Sequence, residues 1–503
     1  MKLLINGFIL IAVGFFSLQK SYGQGTEQIV QALRLAFQEK NETVILPYLS
    51  PDFTVAGNTD GGAKGILKHI IQEYPIKDIK ILSEESVSGG QKIKVAVDQN
   101  ADTKSQTNIY IDTNGKIRYI DLFDQLYGMN RYGTAKLRTR IPFENRDGSI
   151  ILSVRINNFA RPLRLLFDTG ADGMAVSQTL ADEIGLTVTR QNNASVVGSN
   201  IAIQVSDKNS ILLDTLKLEN MGIAIFATVG HDVDGIIGNT LVKRFIVQVD
   251  YDKSELSLFD FGDFKNSGKG TSVPLRMSNG MLSLQGELTI KPGKSYTGNF
   301  VFDTGAAYHL ICFRPFVRDN RLLVNGFKPL YNGSTASLGM VSPTYTGRSH
   351  QFSLAGIEPL MAMPITLMAG SSANENWRPA FDGSIGVRLM SRYNFVINVQ
   401  RNELFLTKNN TFHYPHDFLL GETVLGWNHQ GKLVILQSLN PTSPLSPAGS
   451  EVVRIGNIKG SELRDAPEKL TALLQSDANL SVNVDILEDN NLKTHTLSLE
   501  KRF

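Results

Sequence analysis

Five residues, Phe167-Asp168-Thr169-Gly170-Ala171, return as Phe302-Asp303-Thr304-Gly305-Ala306 within one chain of 503 residues. An apolar run leads into each copy. A second pair of blocks follows in the same order. Asp234-Gly235-Ile236-Ile237-Gly238-Asn239 leads into Phe245-Ile246-Val247, and Asp382-Gly383-Ser384-Ile385-Gly386-Val387 leads into Phe395-Val396-Ile397. Each copy closes with a charged turn and a strand, at 252–259 and 400–406. At average composition one Asp-Thr-Gly is expected about 0.1 times in such a chain. Two copies with matched approaches and matched sequels mean that one lobe has been duplicated.

These motifs resemble those of the aspartic peptidases, and the lobe is most similar to the retropepsin-like kind. That lobe usually occurs as a homodimer, whereas here both copies lie in one chain, as in the two-lobed pepsin arrangement. The resemblance covers about residues 134–408. It implies a two-lobed aspartic-protease β fold with Asp168 and Asp303 as the catalytic pair. Thr169 and Thr304 would brace the loops, and Gly170 and Gly305 would let the facing backbones approach without a Cβ in the way. The Ile236-Ile237-Gly238 and Ser384-Ile385-Gly386 blocks would wedge under the loops. Ser384 replaces an apolar residue there and is expected to loosen the second lobe. Candidate flaps lie at 195–200 and 337–345.

The chemistry of the residues agrees with the resemblance. Two carboxylates brought within a few ångströms cannot both ionise cheaply, so one proton is shared and the pair serves as acid and base together. The implied reaction is hydrolysis of a peptide bond by an activated water, with no covalent intermediate, no cofactor and no metal.

Other chemistries lack their residues. There is no Gly-x-Ser-x-Gly elbow. Gly293-Lys294-Ser295 imitates the end of a phosphate loop, but Leu288 stands where that loop needs glycine, so a polar hairpin turn is expected. The eight histidines form no His-Glu-x-x-His, and His231 and His309 read as loop residues. Cys312 is the single cysteine, which excludes an intrachain disulfide and a cysteine-rich zinc site and suggests a buried core thiol. Fifty basic against 48 acidic residues give a net charge of +2, which offers no footprint for nucleic acid.

The length allows three to five domains at roughly 100–200 residues each. Residues 1–23 read as a signal peptide, with Lys2, an apolar run and a small-x-small end at Ser21-Tyr22-Gly23. Residues 24–128 combine two helical patterns with extended runs at 76–82, 92–98, 107–112 and 117–123. An Asn114-Gly115 two-residue hairpin signal separates the last two. This unit resembles the NTF2-like families and suggests an accessory role. Residues 134–262 and 270–408 are the two lobes, with short helices expected at 177–184 and 239–245. Residues 411–503 resemble a PDZ domain on Ser446-Pro447-Ala448-Gly449 and the strand after it, with a helix at 466–475.

The fold class expected is therefore multidomain and mainly β, with a small α+β domain before the lobes and a β-rich domain after them. The expected function is that of an exported aspartic endopeptidase, periplasmic or secreted, monomeric, without a membrane span after signal cleavage. Its partner would be a peptide or protein substrate, and a peptide C-terminus could dock at the PDZ-like domain. The alternative is a catalytically inactive two-lobed peptide-binding protein. A further arrangement would pair each lobe with a lobe of another chain.

Overall fold

A computed structural model of the chain describes residues 25–100, 103–196, 199–230, 232–337, 340–369, 377–440, 445, 448–466, 468–469, 471–472, 480–488 and 491–499. The expected signal segment, His231, residues 197–198 and 338–339 of the candidate flaps, most of the turn at 441–447 and half of the helix at 466–475 lie outside them. The architecture is mainly β and multidomain, built from five sheets.

The repeated sequence blocks fold alike. Strand Leu163–Phe167 runs parallel to the short strand Gly235–Ile237, which in turn pairs antiparallel with Met174–Ser177. In the second lobe Lys294–Phe302 runs parallel to Gly383–Ile385, which pairs antiparallel with Leu310–Cys312. Both inserted strands are buried at every residue. That is why each block reads as a continuous compact run and not as an alternating one.

A six-stranded sheet joins the lobes, in the order Thr271–Pro274, Glu403–Lys408, Tyr393–Asn398, Ile246–Asp250, Glu255–Phe259, Leu137–Pro142. Its centre is the antiparallel pair of equivalent strands, with Val247 opposite Ile397 and Val249 opposite Phe395. One hydrophobic core runs through both lobes. The two copies are therefore halves of one folded body.

Helix 178–184 forms as expected, capped by the Ser177 hydroxyl, which accepts from the Leu180 N–H at 3.2 Å. The helix expected at 239–245 does not form. The chain there makes hydrogen-bonded turns, because Asn239 is drawn to the Asp168-Thr169-Gly170 loop and the backbone must swing directly into strand Ile246–Asp250. Only its counterpart Val387–Met390 is helical. Gly293 makes the expected hairpin turn, between Met281–Lys291 and Lys294–Phe302. Cys312 is fully buried.

The N-terminal unit packs helices 25–39 and Asp60–Glu73 against a four-stranded antiparallel sheet with its own core. The run expected to be extended over 117–123 splits, with strand Ile117–Ile120 giving way to helix Asp121–Leu126. The turn before it holds three residues and not two. Lys116 N–H and the Asp112 N–H close it through Asp112 Oδ1 and the Lys116 carbonyl, and Gly115 sits at φ +73°. Among the described residues the C-terminal unit has a seven-stranded sheet that includes three strands not anticipated, Phe418–Leu420, Thr423–Trp427 and Ile458–Lys459, and a helix, Gly460–Asp465.

Both flanking units dock on the second lobe. Thr59 N–H donates to the Met277 carbonyl at 2.8 Å, Asn402 Nδ2 donates to the Gly57 carbonyl at 3.1 Å, and Arg276 pairs with Asp60. On the other side, Asp417 accepts two bonds from the Arg388 guanidinium, and the Asp417 carbonyl accepts from Arg348 Nη2 at 2.9 Å.

Candidate active site

The two Asp-Thr-Gly turns meet face to face. Each aspartate ends its strand with its N–H on the inserted strand, Asp168 to the Ile237 carbonyl at 3.1 Å and Asp303 to the Ile385 carbonyl at 3.0 Å. Below them the wedges hold the loops equivalently. Asn239 N–H donates to the Ala171 carbonyl at 2.8 Å and Val387 N–H to the Ala306 carbonyl at 2.9 Å.

The threonines bind across the lobes and not within their own loops. Thr169 Oγ1 donates to the Phe302 carbonyl at 2.6 Å and accepts the Thr304 N–H at 3.0 Å. Thr304 Oγ1 donates to the Phe167 carbonyl at 2.6 Å and accepts the Thr169 N–H at 3.0 Å. Both side chains are completely buried. Four reciprocal bonds in a water-free setting fix the distance between the loops, and each would leave an orphaned buried group if broken.

The glycines are required by the same closeness. A Cβ on Gly170 would lie 2.4 Å from Asp303 Oδ1, and one on Gly305 would lie 2.4 Å from the Asp168 carboxyl. Each carboxyl thus rests against the backbone of the opposite loop. Each also accepts the N–H of its own loop's glycine, at 2.8 Å for Asp168 and 3.0 Å for Asp303.

The electrostatics of the pair follow from burial. Desolvation and the charge of Asp303 hold the Asp168 carboxyl well above the ordinary carboxylate range. Desolvation also raises Asp303, but the Gly305 N–H, the Ser384 hydroxyl and the Asp168 carboxyl oppose it. Both carboxyls are thus held above the ordinary range, and two such close groups cannot both ionise cheaply. Ser384 is buried in its inserted strand.

Two contributors escaped the sequence reading. Ser384 was visible there only as an irregularity of the repeat. Asn239, fully buried, donates from Nδ2 to the Thr169 carbonyl at 2.9 Å and to the Gly280 carbonyl at 2.9 Å. Its counterpart Val387 has no such donor, and this second irregularity was the available signal.

Each lobe has a small buried apolar cluster that includes its inserted strand or that strand's partner. Ile236 and Ala175 pair in register and pack with Phe226. In the second lobe Ile311 packs with Phe313, Met368 and Trp377. Each lobe also sends out a hairpin where a flap was expected, Arg190–Val196 with Ser199–Leu213, and Pro329–Ser337 with Met340–Arg348.

Away from this site, His309 is a loop residue, buried against Asp417 at the junction with the C-terminal unit. In the N-terminal unit Asp121 and Asp124 are buried close together. Burial pushes Asp121 up to about 6, and Arg131 pairs with Asp124. Among the described residues no group of His, Cys, Asp and Glu could hold a metal ion.

No curated protein sequence matches the chain. Among solved structures, the aspartic proteinase from Irpex lacteus is similar at 14% identity, over 54% of this chain and 97% of that one, with a TM-score of 0.35. Residues 152–241, which carry Asp168, its threonine and glycine, and the first wedge, match the model of the family described as Aspartyl protease.

Proposed function

We propose that the chain is an aspartic endopeptidase in which Asp168 and Asp303 activate a water to hydrolyse a peptide bond. The observation that carries this reading is the facing pair itself. Two buried carboxyls face each other, each against the opposite loop's glycine, in loops locked by reciprocal threonine bonds. The ionised member of the pair takes a proton from water as the water oxygen attacks the scissile carbonyl, and the protonated member gives its proton to the carbonyl oxygen. Collapse of the tetrahedral intermediate breaks the C–N bond, the proton taken from water passes to the leaving amine, and a hydroxyl proton of the intermediate returns to the other carboxyl.

The finer features belong to the same proposal. The protein is exported through its 1–23 segment, acts as a monomer, and carries an NTF2-like accessory unit and a PDZ-like unit that can receive a peptide C-terminus. A single core shared by both lobes supports a monomer over lobes borrowed from other chains. The competing reading is a peptide-binding protein without turnover. Incubation of a mixed peptide library with wild type, Asp168→Asn and Asp303→Asn at several pH values separates them. Cleavage by wild type alone supports the enzyme, and binding without cleavage at any pH from 3 to 8 overturns it.

A further inference from the structure

Behind each catalytic loop one wedge residue donates its backbone N–H to the loop's alanine carbonyl, Asn239 to Ala171 at 2.8 Å and Val387 to Ala306 at 2.9 Å. The backbones are alike and the side chains are not. Val387 is buried and apolar. Asn239 is completely buried and places both hydrogens of its side-chain amide on carbonyls, one on Thr169 and one on Gly280, each at 2.9 Å. Its own Oδ1 is buried with no partner among the described residues. An amide that engages both donors while its acceptor goes unpaired is held in this place for what it donates.

We propose that Asn239 is a positioning residue that orients the Asp168 carboxyl through the Thr169–Gly170 peptide, with the Gly280 carbonyl fixing the amide that does so. This rests on the peptidase reading above. The Thr169 carbonyl and the Gly170 N–H belong to one planar unit, so neither turns without the other. That N–H donates to Asp168 Oδ1 at 2.8 Å. A donor on the carbonyl end also polarises the unit and strengthens the bond at its other end. The threonine brace acts on the Thr169 N–H and hydroxyl, which precede this plane, and the residue after it is a freely turning glycine. The plane therefore needs a hold of its own, and Asn239 supplies it. Gly280 ends the two-residue turn between strands Arg276–Ser278 and Met281–Lys291, with Asn279 and Gly280 at φ +52° and +76°. That turn belongs to the second lobe, so the residue that aims the first lobe's carboxyl is itself aimed by the second.

The test compares wild type with Asn239→Val, which copies the second lobe, and Asn239→Ala, which removes the same donors without adding bulk. Either variant suffices if the other does not fold. Two readouts are taken, kcat and KM on a cleaved peptide, and nuclear magnetic resonance of protein labelled with carbon-13 at threonine carbonyls and nitrogen-15 at glycine. The double label selects the Thr-Gly peptides, 169–170, 297–298, 304–305 and 346–347. Without the donor, the Thr169 carbonyl and Gly170 N–H signals should both move upfield, while those of 297–298 and 346–347 stay in place. The fall in kcat should be about tenfold, with KM within about twofold of wild type, because the lost alignment acts on the reacting carboxyl and not on substrate binding. Unmoved 169–170 signals in a folded variant overturn the proposal, and so does an undiminished kcat. Shifted signals in a protein whose wild type cleaves nothing overturn the peptidase reading and leave the hold of Asn239 on this peptide standing.

Discussion

Thr169 and Thr304 hold each other by the same pair of atoms in both directions, each hydroxyl accepting the other's N–H at 3.0 Å. Each then donates that hydroxyl to the carbonyl before the other lobe's aspartate, at 2.6 Å. Neither loop can move without uncovering a buried donor or acceptor. The separation of the two carboxyls is therefore set by bonds that no single lobe can make.

Replacing either threonine with valine keeps the volume and removes the hydroxyl. Thr169→Val orphans the Thr304 N–H and the Phe302 carbonyl, a loss of roughly 2–4 kcal/mol from two buried groups. Urea unfolding should show that loss, and kcat should fall more than KM rises. A stability equal to wild type would mean that the cross-lobe bonds carry nothing.

Asp168→Asn and Asp303→Asn are each expected to reduce turnover by at least about 1000-fold, since acid and base act as a unit. Their effect on stability should be opposite in sense. The Asp168 carboxyl is raised by burial, so folding is favoured below its unfolded pKa of about 3.9 and loses that advantage as pH climbs through the folded value. Asp168→Asn should remove this loss and stabilise the protein near pH 7. Thermal unfolding across pH 3 to 8 reads the difference.

Gly170→Ala puts a methyl within 2.4 Å of Asp303 Oδ1. The contact is too short for any real Cβ, so the loops must part. Activity should be lost at all pH values, and the perturbed carboxyl titration should relax toward ordinary values.

The two docking pairs should differ sharply in weight. Arg276 and Asp60 are 38% and 43% exposed, so Asp60→Asn should cost no more than about 1 kcal/mol. Arg388 and Asp417 are both 11% exposed, and Asp417→Asn strands a buried guanidinium, at about 3–5 kcal/mol. Differential scanning calorimetry of the two variants checks the ranking.

Acid should weaken the same junction. Burial holds His309 well below the ordinary imidazole range and lowers His416 to about 3, with Arg392 adding to the second effect. A base whose folded pKa is depressed binds its proton more readily when unfolded, so stability falls as pH drops below about 6.5 and keeps falling to about 3. His416→Gln should flatten that slope. An unchanged slope would place the acid sensitivity elsewhere.

Much of the site could be read from residue order. Asp168, Asp303 and the residues that follow them are contiguous, and their turn chemistry is local, so the motif carries its own geometry. Helix 178–184 was legible for the same reason, through Ser177 and the apolar spacing behind it. The turns at 239–245 were not. Their pattern suits a helix, and what prevents one is Asn239 bonding a loop 70 residues earlier. The strand Thr423–Trp427 was missed because a short, wholly buried run has no alternation to detect, and Phe418–Leu420 because three residues are too few to show one.

The amino-acid order alone establishes that one lobe was duplicated, which carboxyls it bears, and which glycines and threonines attend them. These are properties of short segments, where neighbours in sequence are neighbours in space. It could not show that the threonines brace the opposite lobe, that Asn239 ties the Thr169 carbonyl to Gly280, or that Asp417 of the last unit clamps the helix behind the second wedge. Those relations join residues far apart in the chain. They exist only once the strands have paired and buried polar groups have had to find partners, and no local pattern records which partner each will reach.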